Sequence, residues 1–274
     1  MSLGNTATRI IVSLIAIPLI LAACFYGKIP FLIFVLGIGL ISFWEFSELT
    51  KNKNAHVNIT LGFLAVTAII INSYYLFTNT TIILIVSVVL LLLTELFRNK
   101  ESAIINVGTT LLGILYLGLL ASSILLIREF FNKSEMLYSE GGYLIISIMI
   151  SIWVCDSAAF FIGSAIGKHK LFPRVSPNKS WEGAVAGFIF AIVGMVISKF
   201  LILNYLSWQD IIVIGIIAGT IGQLGDLVES LIKRDAKVKD SSSIIPGHGG
   251  IFDRFDSLLL TAPVVYLYLF FFVS

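Results

Sequence analysis

The chain has 274 residues, of which 58% are hydrophobic and only 12% are charged, and its formal net charge is +2. Because soluble domains carry about 25% charged residues, this composition excludes a soluble globular protein. No nucleic-acid partner is expected. The two cysteines, Cys24 and Cys155, lie inside apolar stretches and have the spacing of neither a disulfide framework nor a metal site.

Nine apolar stretches are long enough to cross the ~30 Å hydrocarbon core of a bilayer. They lie near 10–27, 30–49, 58–77, 81–97, 104–127, 143–165, 182–204, 211–232 and 252–273. With nine spans, thirteen of the 18 Lys and Arg residues face the side that holds the N-terminus and three face the other side. An excess of these residues marks the cytoplasmic side. The sequence therefore predicts an all-α, polytopic integral membrane protein with about nine transmembrane helices, its N-terminus in the cytoplasm and its C-terminus outside.

Polar residues divide the chain into two predicted parts. An N-terminal membrane region, 1–142, holds about five helices, and a C-terminal catalytic membrane region, 143–274, holds about four helices with cytoplasmic loops 166–181 and 233–250. In the first region, Glu45 and Glu48 lie near the end of the second span, where acids are more often interfacial or structural than catalytic. Three glycines of the fifth span are expected to allow close helix packing, namely Gly108, Gly113 and Gly118.

The C-terminal region begins with an acid inside a span, Asp156, and charge at membrane depth is kept mainly where it acts on ions or polar substrates. The following loop contains Arg174, Ser176 and Lys179 and opens a new helix. A helix N-terminus offers free N–H groups and partial positive charge, so the loop is suited to phosphate. The alternative is that its cations are ordinary cytoplasmic charges.

Two pairs of acids are predicted to meet at the cytoplasmic ends of the last two spans. Asp226 and Glu229 share one face of span eight, and Asp253 and Asp256 share one face of span nine. Facing carboxylates repel unless a cation or basic groups neutralise them, and oxygen ligands select a hard cation such as Mg²⁺. A purely structural salt-bridge cluster is the alternative.

Between these spans lies a polar loop with three serines, 241–243, and the run Pro246-Gly247-His248-Gly249-Gly250. Glycines let backbone N–H groups approach phosphate oxygens closely. Because basic residues precede the loop and Asp253-Arg254 follows it, the segment is typical of a polyphosphate site with a metal.

The stretch 230–256 resembles the signature of the phosphatidate cytidylyltransferase (CDP-diacylglycerol synthase) family. The matching residues are Ser230, Lys233, Arg234, Lys239, Asp240, Pro246, His248, Gly249, Gly250, Asp253, Arg254 and Asp256. The resemblance implies a Mg²⁺-dependent transfer of CMP from CTP to phosphatidic acid. Two facing carboxylate pairs are also compatible with a second cation.

The resemblance also implies roles for these residues. Asp226 and Asp253 are expected to bind the metal, and Asp256 is expected to be a third ligand or to hold the other two ligands in place. Lys239 is expected to contact the leaving pyrophosphate. Arg174, Ser176 and Lys179 are expected to bind the lipid phosphate or the nucleotide. The other expected substrate-binding residues are Ser230, Lys233, Arg234, Lys237, His248, Gly249, Gly250 and Arg254.

Two other functions remain open from the sequence. An ion-coupled transporter would use intramembrane acids, although near the bilayer midplane between repeats rather than at one face. A CTP-dependent polyprenol or lipid kinase would share a CTP site but transfer the γ-phosphoryl group. Whether the protein is a cytidylyltransferase or a kinase, we expect it in the inner membrane with its active site on the cytoplasmic side. The family resemblance also suggests a homodimer.

Overall fold

The computed structural model describes residues 5–131 and 138–273, with side chains from residue 10 onward. Within these residues, ten α-helices and two short strands follow one another. They are α1 (Asn5–Tyr26), α2 (Lys28–Lys51), α3 (Ile59–Tyr75), α4 (Thr80–Arg98), α5 (Ala103–Gly113), α6 (Leu120–Arg128), α7 (Tyr138–Ile166), β1 (Lys170–Phe172), β2 (Ser176–Ser180), α8 (Trp181–Leu201), α9 (Trp208–Asp235) and α10 (Phe252–Phe272). A π-helical segment, Ile114–Leu119, joins α5 and α6.

The helices coincide with the predicted spans. In the part of the chain that the structure describes, seven helical segments are long and apolar enough to cross a membrane: α2, α4, the continuous segment Ala103–Arg128, α7, α8, α9 and α10. The first and third predicted spans correspond to shorter apolar helices, Ile10–Tyr26 and Ile59–Tyr75. The prediction of a polytopic helical membrane protein is therefore confirmed at this level.

The predicted loop 166–181 contains a β-hairpin, which departs from the predicted all-α chain. Strand β1 pairs antiparallel with β2 in the register Lys170 with Ser180 and Phe172 with Ser176. The Ser180 side chain then caps α8 by accepting from the Gly183 N–H at 3.2 Å. The hairpin is thus fixed to the start of α8.

The chain forms two compact units, each of which combines segments that are distant in the sequence. The predicted division into regions 1–142 and 143–274 stays a prediction. The first unit comprises 1–23, 27–126 and 235–255, and the second comprises 24–26, 127–234 and 256–274. The polar loop before α10 therefore belongs to the unit built mainly from the N-terminal helices. Residues 132–137, at the end of the N-terminal region predicted for 1–142, lie outside the described residues.

Glycines allow close contacts inside the first unit. A Cβ atom at Gly113 would lie 2.7 Å from the Phe43 ring, and one at Gly118 would lie 3.1 Å from Val66, so both predictions of close packing are confirmed. At the third predicted glycine, Gly108, no atom of the described residues would lie within 4 Å of such a Cβ atom, so the predicted close packing is not found there.

The second unit is organised around α7 and α8 and a buried arginine. Small residues of α8 face α7, and a Cβ atom at Gly187 would lie 2.9 Å from the Cys155 carbonyl. Arg128, which is fully buried, donates hydrogen bonds to the carbonyl oxygens of Cys24, Phe25 and Tyr138. The guanidinium therefore binds carbonyl groups at the end of α1, where the helix dipole favours a cation.

Candidate active site

In the second unit, α9 and α10 approach closely at Gly225. A Cβ atom at this position would lie 2.7 Å from the Asp256 carbonyl oxygen and 3.0 Å from the Ser257 Cα atom. Only glycine leaves the room for these two backbones to meet. The next residue of α9, Asp226, is thereby placed beside Asp256 of α10.

Three carboxylates meet at this crossing, and we call Asp226, Glu229 and Asp256 the acidic cluster. One oxygen of each lies within 4.8 Å of the others. Glu229 is fully buried and Asp256 is 8% exposed, whereas the Asp226 side chain is 32% exposed. Two oxygens on opposite sides of a magnesium ion are about 4.2 Å apart, since each bond is ~2.1 Å. The cluster therefore has the ligand type and the scale for Mg²⁺.

Two lysines partly neutralise the acidic cluster. The Lys233 ammonium lies 2.6 Å from a Glu229 carboxylate oxygen, one helical turn away. Lys179 of β2 forms an ion pair with Asp226, and the Ser230 hydroxyl lies 3.5 Å from the same carboxylate. The hairpin thus supplies one of the counter-charges of the cluster.

The charge balance of the cluster is negative. Burial lowers the pKa of the Lys179 ammonium, and the carboxylates of Asp156, Asp256 and Glu229 oppose this shift by favouring its charged form. With Asp156 included and all acids ionised, four carboxylates face two ammonium groups, which leaves a formal charge of −2. A divalent cation would balance it.

The rest of the hairpin presents polar groups outward. Arg174 is exposed in the turn between the strands, and Ser176 is half-buried at the start of β2. Arg234, at the end of α9, donates from its Nε atom to the Val175 carbonyl at 3.3 Å. The free N–H groups expected at the α8 N-terminus are partly used by Ser180, so this terminus is less open to phosphate than its sequence indicates.

An apolar groove of about 790 Å³ lies between the hairpin, α8 and α9. Residues Leu224, Leu227 and Leu231 of α9 line it, while Asp226 and Glu229 of the same helix belong to the acidic cluster. The groove follows α9 from Gly219 to Leu231, a rise of about 18 Å at 1.5 Å per residue. This length matches roughly one leaflet of a bilayer whose hydrocarbon core is ~30 Å thick.

In the first unit, a glycine-rich loop, 241–250, leads into α10. The Asp253 carboxylate accepts hydrogen bonds from the Gly250 N–H at 2.7 Å and the Ser241 N–H at 3.0 Å. Its predicted role as a metal ligand stays a prediction, since its oxygens bind the loop backbone here. The loop tip is a tight turn in which the His248 N–H donates to the Ile245 carbonyl at 2.9 Å.

At two positions of this loop the backbone has a positive φ angle, which favours glycine. Gly247 has φ +77° and Gly249 has φ +80°, a region that residues with a Cβ atom rarely adopt. The His248 side chain lies 3.4 Å from the Ser13 hydroxyl. The expected phosphate-binding cations Lys237, Lys239 and Arg254 are all exposed.

Two residues have larger structural roles than their sequence positions predicted. Glu229 completes the acidic cluster, and its spacing of three residues from Asp226 had indicated the shared helix face. Glu45 of α2 binds both ends of the glycine-rich loop through four hydrogen bonds. No sequence signal links Glu45 to that loop, because about two hundred residues separate them.

Comparisons with known proteins agree with this chemistry. A model of the cytidylyltransferase family matches residues 7–272. The phosphatidate cytidylyltransferase of Bacillus subtilis (strain 168) is 33% identical over 267 residues, which cover 95% of this chain and 96% of that protein. The phosphatidate cytidylyltransferase of Brucella suis biovar 1 is 32% identical over 277 residues, 97% of this chain and 94% of that protein.

A relative in Haemophilus influenzae, again a phosphatidate cytidylyltransferase, is 44% identical over 138 residues, 49% of this chain and 48% of its own length. The resemblance carried by residues 230–256 is thus confirmed along nearly the whole length of the sequence, and the chain belongs to the cytidylyltransferase family.

Proposed function

We propose that this protein is a phosphatidate cytidylyltransferase, which transfers CMP from CTP to phosphatidic acid and releases pyrophosphate. Full-length similarity to proteins of that name is the observation that carries the proposal. The product would be CDP-diacylglycerol, a precursor in phospholipid biosynthesis. An acidic cluster and a glycine-rich loop beside exposed cations suit a reaction between two phosphate-bearing substrates.

The bonds made and broken follow from the two substrates. A phosphate oxygen of phosphatidic acid attacks the α-phosphorus of CTP, and the bond between the α- and β-phosphates breaks as pyrophosphate leaves in line. A phosphate monoester is largely ionised at neutral pH, so the attacking group needs no protein base. The protein's contribution is positioning and charge neutralisation.

The acidic cluster is the proposed magnesium site. Asp226, Glu229 and Asp256 offer hard oxygen ligands around a net negative charge, and Asp253 remains a further candidate ligand. When bound, Mg²⁺ would neutralise phosphate charge and orient the leaving group. A second cation is compatible with the number of acids in this part of the chain.

The cations and the glycine-rich loop are proposed to hold the phosphates. Lys239 would contact the leaving pyrophosphate, with Lys237 and Arg234 on neighbouring phosphate oxygens. The backbone around Gly249 would lie against CTP phosphates, as short glycine-rich turns allow. The N–H of Gly250 donates to Asp253 at 2.7 Å, so Gly250 would contribute through the shape of the loop. Arg174 and Ser176 of the hairpin would contact the lipid phosphate.

The apolar groove between α8 and α9 is the proposed position of an acyl chain of phosphatidic acid. Its length matches one leaflet, and the helix that lines it carries the acidic cluster on another face. A phosphatidic acid with a photoreactive acyl chain should therefore crosslink to peptides of α8 and α9. Crosslinks found only on other helices would contradict this placement.

The membrane arrangement is also a proposal in its finer details. We expect nine spans with the N-terminus and the active site on the cytoplasmic side of the inner membrane, because the lysines and arginines favour that side. We further expect a homodimer. Cysteine accessibility in intact cells tests the sidedness, and light scattering of the detergent-solubilised protein tests the dimer.

The reaction is tested with membranes that contain the protein, phosphatidic acid and labelled CTP. Label from α-³²P CTP should enter lipid with Mg²⁺ present, and chelation with EDTA should abolish this until Mg²⁺ is restored. Failure of the α label to enter lipid would refute the cytidylyltransferase proposal. Entry of the γ label would instead indicate a CTP-dependent lipid kinase.

A further inference from the structure

Two acids of α2 lie one turn apart in very different surroundings. Glu45 is fully buried. Glu48 has a side chain that is 37% exposed, and it pairs with Lys51 at 2.6 Å on the helix surface. A buried carboxylate is costly unless hydrogen bonds satisfy its oxygens. The surroundings of Glu45 therefore have to supply those bonds.

Four donors surround the Glu45 carboxylate, and all of them belong to the segment that contains the glycine-rich loop. Its Oε1 atom accepts from the Ser242 hydroxyl at 2.5 Å and the Ile251 N–H at 3.0 Å. Its Oε2 atom accepts from the Ser241 hydroxyl at 3.1 Å and the Phe252 N–H at 2.7 Å. Four donors match the roughly four lone pairs that a carboxylate offers.

These bonds join the two ends of the loop. Ser241 and Ser242 lie where the loop begins, whereas Ile251 and Phe252 lie where it ends and α10 starts. The N–H groups at a helix start have no partner within the helix, and a negative charge there is favourable. Glu45 thus caps α10 and closes the base of the loop with one side chain.

Other contacts of α2 and the residues after it hold the approach to the loop. The Asn52 side chain donates to the Ala236 carbonyl at 3.2 Å, and the Lys53 ammonium lies 2.9 Å from Asp235. A Cβ atom at Gly250 would collide with the Glu45 carboxylate and the Ser241 hydroxyl. The loop is therefore packed directly against the carboxylate, without space for an intervening side chain.

We infer that Glu45 is a positioning residue for CTP: it holds the glycine-rich loop in the conformation that binds the nucleotide's phosphates. The inference rests on the proposed function of this loop. Glycine-rich backbone loses much conformational entropy on ordering, and a site ordered in advance binds its ligand more tightly. The N-terminal half of the chain thereby contributes to nucleotide binding without touching the nucleotide.

The test compares Glu45→Gln with the matched control Glu48→Gln in purified protein. The substitution at position 45 replaces one carboxylate oxygen by an amide nitrogen, a donor that would face N–H or hydroxyl donors of the loop. Loss of bonds to a charged acceptor predicts a KM for CTP raised on the order of 10- to 100-fold. The KM for phosphatidic acid should stay within about twofold, and Glu48→Gln should resemble the wild type in both constants.

A second measurement does not depend on catalysis. Hydrogen–deuterium exchange of peptides covering 242–250 should become faster in Glu45→Gln and stay unchanged in Glu48→Gln. If Glu45→Gln does not fold, Ser242→Ala removes one donor alone and should show the same pattern to a smaller degree.

Unchanged exchange and an unchanged KM for CTP in the folded variant would overturn the inference. A lower kcat with no change in the KM for CTP or for phosphatidic acid would indicate a merely structural role and would also overturn the inference. Absence of cytidylyl transfer in the wild type would refute the proposed function instead, while the exchange data would still report whether Glu45 orders the loop.

Discussion

The close approach of α9 and α10 at Gly225 gives a prediction whose size can be worked out from the structure. In Gly225→Ala the new Cβ atom would lie 2.7 Å from the Asp256 carbonyl oxygen. Because a comfortable non-bonded separation is about 3.5 Å, the two backbones must move apart by roughly 0.8 Å. The shift acts directly between Asp226 and Asp256, which belong to opposite sides of the acidic cluster.

A displacement of this size matters at a metal site. A misplacement of about 1 Å can lower an enzymatic rate on the order of 100-fold. We therefore expect Gly225→Ala to lower the turnover of CDP-diacylglycerol formation about 10- to 100-fold and to raise the Mg²⁺ concentration at half-maximal rate. The assay is the initial rate of α-³²P transfer in mixed micelles over a series of Mg²⁺ concentrations.

Gly222→Ala is the matched control, because it makes the same change one turn earlier in α9. Its Cβ atom would meet nothing closer than the Thr261 hydroxyl oxygen at 3.4 Å, an ordinary contact. Alanine also favours a helix over glycine by about 1 kcal/mol, so this variant should keep its rate and its thermal stability. Equal rates in the two variants would refute the argument that the helix spacing sets the geometry of the acidic cluster.

Two further predictions concern charges of the cluster. Glu229→Gln leaves the Lys233 ammonium in its buried position without the carboxylate and should cost about 3–5 kcal/mol of stability. Adding Lys233→Met should restore the thermal midpoint of unfolding, but Mg²⁺ should no longer raise that midpoint. If Mg²⁺ raises the midpoint of the double variant as much as that of the wild type, Glu229 is not a metal ligand. Lys179 has a pKa below the ordinary 10.5 because of burial. Between the lowered pKa of the folded protein and the ordinary pKa of the unfolded chain, the unfolded chain binds more protons at Lys179. The free energy of unfolding should therefore rise with pH in this range. Activity should fall there as the ammonium loses its charge, and Lys179→Arg, which does not titrate, should remove this alkaline decline in a pH–rate profile; an unchanged decline would assign it to another group.

Much of the fold could be predicted because membrane helices are specified locally. Each apolar stretch needs only its own hydrogen bonds to be stable in a bilayer, so the sequence of the stretch locates the helix. The hairpin Lys170–Ser180 was not predicted, because its strands are only three and five residues long, too short for a recognisable strand pattern. Its pairing depends on contacts with the start of α8 rather than on a pattern within the strands.

The candidate site was predicted in part for the same reason. Asp226 and Glu229 share a helix face through their spacing, and the glycine before Asp226 is what lets α10 approach. Lys179 and Asp156 join this group through tertiary packing, which no local spacing encodes. Glu45 was placed among structural acids, and only the folded chain reveals which segment it supports.

The hydrogen bonds between Glu45 and the two ends of the glycine-rich loop have a consequence for how the protein is synthesised. Its farthest hydrogen-bond partner, Phe252, follows it by 207 residues. At a synthesis rate of about 5–20 residues per second, the ribosome needs roughly 10 to 40 s to deliver that partner. During this interval α2 must wait with a carboxylate whose final donors do not yet exist. The insertion machinery therefore handles α2 as a helix with an unsatisfied acid, and assembly of the glycine-rich loop becomes one of the last steps of biogenesis.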